Sequence, residues 1–93
     1  MTIGFRGKSL GYADACRMAR WIGAQRPDDT VHVCLRGTTH TTTAALARLV
    51  LLRRELLGRG LDLRITGLSG RAKALYEVNR FDGLLPLTPS ARG

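Results

Sequence analysis

Long apolar runs, acidic residues, aromatic rings and cysteines are all scarce in this chain. No apolar run reaches the roughly 18 residues that a membrane-spanning helix needs. The opening Met1-Thr2-Ile3-Gly4-Phe5-Arg6-Gly7 has no charged segment followed by an apolar stretch. A soluble, cytoplasmic protein is expected. The two cysteines, Cys16 and Cys34, are too few and too isolated for a secreted disulfide framework and read as small buried hydrophobes in a reducing compartment. Aromatic residues are only 5% of the chain, which leaves little on which bases could stack. Seven acids stand against fifteen bases, for a net charge of +8, and thirteen of the fifteen are arginine. That balance suits an acidic partner, whether nucleic acid, anionic lipid or protein. Apart from Arg53-Arg54, however, the arginines are scattered from Arg6 to Arg92. A solvated basic surface is the simpler reading, and nucleic acid is not the expected partner.

The 93 residues make a single domain, residues 1–87, followed by a short tail, 88–93. Ile3 and Phe5 alternate with Gly4 and Arg6 in a first strand. Ser9 is placed as the cap of a helix to Gln25, with Tyr12, Ala15, Cys16, Ala19 and Ile22 on its apolar face and Arg17, Arg20 and Trp21 off it. Pro27-Asp28-Asp29 breaks the chain before a second strand, Val31 to Arg36. Leu46, Leu49, Val50, Leu56 and Leu57 mark a second helix, closed by Gly58-Arg59-Gly60. Leu61, Leu63 and Ile65 alternate in a third strand. Ser69 then caps a helix from Gly70 to Asn79, with Ala72, Leu75, Tyr76 and Val78 as its apolar members, and Leu84 to Leu87 form an edge strand containing Pro86.

Alternating strands and helices require crossovers, so the sheet is expected to be mainly parallel. Both middle strands alternate, with His32, Cys34, Arg36, Asp62, Arg64 and Thr66 on the second face. The predicted class is therefore α/β, with about four mostly parallel strands and three main helices chiefly on one face. Between the second strand and second helix lies Thr38-Thr39-His40-Thr41-Thr42-Thr43, where hydroxyls, free N–H groups and a positive helix end are expected to gather in one loop.

From Val31 to Leu87 this pattern resembles a STAS domain, the fold of bacterial anti-sigma factor antagonists. The resemblance rests on the strand Val31 to Arg36 with Gly37, the helix Leu46 to Arg59 closed by Gly60, the strand Leu61 to Gly67, and the closing run Asn79 to Leu87. Phe5-Arg6-Gly7 matches the family's second strand and its glycine, and the usual first strand is absent. In members switched by phosphorylation the second helix opens with Asp-Ser-Ser-Gly, and the serine after the aspartate accepts phosphate from an anti-sigma factor kinase. The matching positions here are Thr42, Thr43, Ala44 and Ala45. The resemblance makes Thr43 the candidate phosphoacceptor, while loss of the aspartate and glycine departs from what such a kinase recognises.

The implied function is a noncatalytic regulatory module that binds a partner, such as an anti-sigma factor or kinase, through Thr39, His40, Thr41, Thr42, Thr43 and Arg71. A plain helix cap at Thr42 or Thr43 and an inert, exposed His40 are the alternatives. Two Cys and two His do not converge on a metal. Gly67-Leu68-Ser69-Gly70-Arg71 is a turn with a cap before it is a phosphate loop. With no paired carboxylates and no Cys-His or Ser-His-acid set, neither enzymatic activity nor a cofactor is expected. Trp21 beside Arg17 and Arg20 is a candidate contact, or packs under the amino terminus. Arg53 is expected to lay its stem on the core with its head in water. Two other readings are the STAS subunit of a lipid-transport ABC system and a basic nucleic-acid or anion binder. An uncovered edge at Ile3 to Phe5 predicts a homodimer or an edge-bound partner.

Overall fold

Four parallel lines of backbone run side by side in the order in which the chain makes them. The computed structural model describes residues 1–88. Its first sheet joins β1 (Thr2–Gly4), β3 (Val31–Cys34) and β5 (Leu63–Thr66), all parallel and in that order. Leu87 adds a single parallel bridge to Ile65 at the far edge. A second parallel pair, β2 (Ser9–Leu10) with β4 (His40–Thr41), extends the structure beyond the carboxyl ends of β1 and β3. The helices are α1 (Tyr12–Gln25), α2 (Thr43–Leu57) and α3 (Gly70–Val78). The chain is thus α/β, with three helices and parallel strands in two small sheets.

Right-handed crossovers that always step in the same direction bring every helix to one face. Burial follows that rule. Val31, Val33, Leu63 and Ile65 are fully buried, whereas His32, Cys34, Arg64 and Thr66 keep solvent access. α1 packs on α2, α2 on β5, and α3 on β4 and the 3₁₀ turn Phe81–Gly83. One core results, built from Ile22 of α1, Leu46, Leu49 and Leu56 of α2, and the inward residues of β3 and β5. No helix among the described residues is long and apolar enough to cross a membrane.

The structure corrects several local expectations. Ser9 does not cap α1; it lies in β2, and Gly11 takes the cap position while its N–H donates to Asp14 Oδ2 at 2.9 Å. Tyr12 and Val78 face solvent, and Met18 and Leu52 are buried in the core. An error of one residue in phase, about 100°, moves a residue from stripe to surface. Ser69 occupies the cap position of α3 without a side-chain cap bond. Instead of an edge strand over 84–87, the chain makes the 3₁₀ turn and then only the Leu87 bridge, supported by Ile65 N donating to Pro86 O and Thr88 N to Ile65 O. The Arg53 head is not free in water. It donates to Asp62 Oδ1 at 2.7 Å and to Leu84 O at 3.2 Å, tying α2 to the start of β5 and to the closing turn. The tail predicted from 88 lies, from 89 on, outside the described residues.

Candidate functional site

The threonine run is less a loop than a staple with one loose end. Gly37, at φ 90°, turns the chain after β3. Thr38 then drops into full burial, where its hydroxyl donates to Gly7 O at 3.0 Å. Thr39 N and His40 N both donate to Lys8 O, at 2.9 and 3.0 Å. Thr41 Oγ1 donates to Leu10 O at 2.8 Å. These bonds fasten the run to the segment after β1, and their partners lie 31 positions away for both hydroxyls. Residues 40 and 41, expected in an irregular loop, are therefore the short strand β4.

Thr42 is the N-cap of α2, in extended geometry, and its Oγ1 accepts from Ala45 N at 3.0 Å. Thr39 Oγ1 and His40 Nδ1 share a hydrogen bond of 2.9 Å at the surface. Thr43 differs from all of these. It is the first residue of α2, exposed, and among the described residues its hydroxyl makes no hydrogen bond. Cap and candidate acceptor are thus separate residues.

The amino end of α3 is docked on the same turn. Ala72 N donates to Thr39 O at 2.7 Å, and Gly70, at φ 59°, lies so near that a Cβ would stand 3.3 Å from Thr39 Cβ. This brings Arg71, exposed on the first turn of α3, to the side of the site that carries Thr39. Neither α2 nor α3 has an acid in its first turn. Two positive helix ends and an arginine therefore serve this surface with no carboxylate in either first turn to neutralise them. Among the described residues the strand order never reverses, so the sheet has no topological switch point. The site is an exposed rim at the starts of α2 and α3.

The residues matched to partner binding do not act alike: His40, Thr42, Thr43 and Arg71 are exposed, while Thr39 and Thr41 are half-buried and engaged. Thr38, unmarked for any role in the sequence beyond its place in the run, proves to be the internal anchor. Among the described residues no group of three His, Cys, Asp or Glu is placed to hold a metal. Compared with family models, with curated proteins and with solved structures, the chain matches none.

Proposed function

We propose that this protein is a noncatalytic regulatory module, resembling an anti-sigma factor antagonist, whose rim at the start of α2 docks on a regulatory protein and is switched at Thr43. The observation that carries this reading is the division of labour in the threonine run. Among the described residues Thr38, Thr39, Thr41 and Thr42 are each engaged in a hydrogen bond, and of the run Thr43 alone presents an exposed hydroxyl without one, at the mouth of a fifteen-residue helix. Phosphate there adds roughly −1.5 to −2 charges beside a positive helix end, which tolerates it without unfolding, while a partner that meets the neutral rim is repelled or re-oriented.

The test is a pull-down from native cells with wild-type, Thr43→Ala and Thr43→Asp proteins, followed by intact-mass analysis. A partner held by wild type and Thr43→Ala and released by Thr43→Asp is expected, with an addition of about 80 Da that vanishes in Thr43→Ala. A partner bound equally by all three proteins, with no added mass, refutes the switch.

A further inference from the structure

A second surface, on the opposite side of the sheet from the Leu87 edge, is built from an open strand and a hollow. Among the described residues β3 is the only strand that pairs with β1. His32 N donates to Met1 O at 2.8 Å, and Phe5 N to Cys34 O at 3.0 Å. Alternate residues of a parallel strand address the same neighbour. Met1, Ile3 and Phe5 therefore serve β3, and Thr2 and Gly4 turn their N–H and C=O groups outward. Nothing in Thr2–Gly4 blunts this edge, neither proline, bulge nor charge.

Beside the edge, Ile3, Gly4, Phe5, Met18 and Trp21 line a hollow of about 300 Å³, with Asp14 and Arg17 at its margin. Trp21 is 47% exposed. A strand added beyond β1 would point alternate side chains toward α1, into that hollow. The surrounding charge selects the strand. Arg6, which follows the edge strand, and Arg20, which precedes Trp21, are exposed, while Arg17 and Asp14 hold each other and Gly11 N–H also donates to Asp14. A second copy would bring the same arginines and its own +8, so like charge opposes self-pairing.

We propose that β1 accepts, by strand addition, an extended segment of a partner protein that carries acidic residues and one large apolar side chain, which fills the hollow under Trp21. This surface is independent of the α2 rim. The probe is a peptide of about eight residues that alternates Glu and Val around a central Leu, with a Lys-for-Glu version as control. Trp21 is the only tryptophan, so its emission reports the site directly. The Glu peptide is expected to shift that emission saturably to shorter wavelength, less so as salt rises. Gly4→Pro removes an outward N–H that β3 does not use and should weaken binding about tenfold. Arg6→Glu with Arg20→Glu leaves the backbone untouched and should reverse the preference between the two peptides, which keeps the test decisive if Gly4→Pro misfolds. Absence of a shift, equal binding of both peptides by wild type, unaltered affinity in folded Gly4→Pro, or a concentration-dependent shift of the protein alone overturns the proposal.

Discussion

Thr42 and Thr43 are adjacent, exposed and chemically identical, yet the structure gives them opposite consequences on truncation. Thr42 Oγ1 accepts from Ala45 N at 3.0 Å and so satisfies one of the amide groups that α2 leaves open at its start. Thr42→Ala removes that bond without making a cavity, because the side chain is at the surface. The loss is then the loss of a cap, about 1 kcal/mol. In a domain of this size that corresponds to a fall of about 4–8 °C in the melting temperature. Thr43→Ala breaks no bond and places a better helix former at the first helical position, so its effect stays within about 0.5 kcal/mol. Thr42→Asp should retain most of the wild-type stability, since a carboxylate both caps and complements the helix end. Thermal melts followed by circular dichroism at 222 nm, the helix band, measure all three variants. Equal destabilisation by Thr42→Ala and Thr43→Ala would refute the assignment of separate roles, and with it the claim that Thr43 is free to be modified.

Asp62 carries a pH-dependent part of the stability. Burial pulls its carboxyl upward, but the Arg53 hydrogen bond, the Leu63 N–H and the charges of Arg53 and Arg64 together outweigh burial and hold it below its ordinary value. A depressed carboxyl stabilises fully above its unfolded value of about 3.9 and loses that contribution as pH falls through the folded value. Urea unfolding should therefore show Asp62→Asn weaker than wild type at neutral pH and close to it in strong acid; a constant difference would contradict the pairing. Two glycines with positive φ provide a steric contrast. At Gly67 a Cβ would stand 2.6 Å from Arg36 N, so Gly67→Ala should cost about 2–5 kcal/mol, whereas Gly37→Ala meets open space and should cost only about 1–2 kcal/mol. Equal urea midpoints for the two variants would show that the β3 and β5 loops do not approach as described.

The alternation of Val31, Val33 and Leu35 with His32, Cys34 and Arg36 was enough to fix a strand with one buried and one wet face, because a period of two has a single structural meaning. The second helix was legible from Leu46, Leu49 and Leu56 at helical spacing and the closing glycines, but Leu57, expected in its apolar stripe, is 45% exposed and Leu52 is buried instead. The third helix ended within one residue of its expected limit. Boundaries set by partners elsewhere in the chain were not legible. Ser9 has the chemistry of a cap, and only its pairing with His40 makes it a strand residue. The closing Leu84-Leu85-Pro86-Leu87 resembles a strand, but the 3₁₀ turn Phe81–Gly83 before it, the burial of Phe81 and Leu85, and the Leu85 and Leu84 carbonyls held by Tyr76 and Arg53 leave it an irregular segment with a single bridge at Leu87.

The same division runs through the candidate sites. Local sequence determined that a hydroxyl-rich segment would open the second helix and that its second residue of the Thr42-Thr43-Ala44-Ala45 set would bear a hydroxyl. That Thr38 and Thr41 are used up was decided by carbonyls at Gly7 and Leu10, 31 residues away, and no local pattern encodes such a distance. Likewise the alternation of Ile3 and Phe5 marked a strand and the absence of the family's usual first strand made it an expected edge, while only the assembled sheet decided that Thr2 and Gly4 are the residues whose N–H and C=O groups face outward, because that depends on the register with β3.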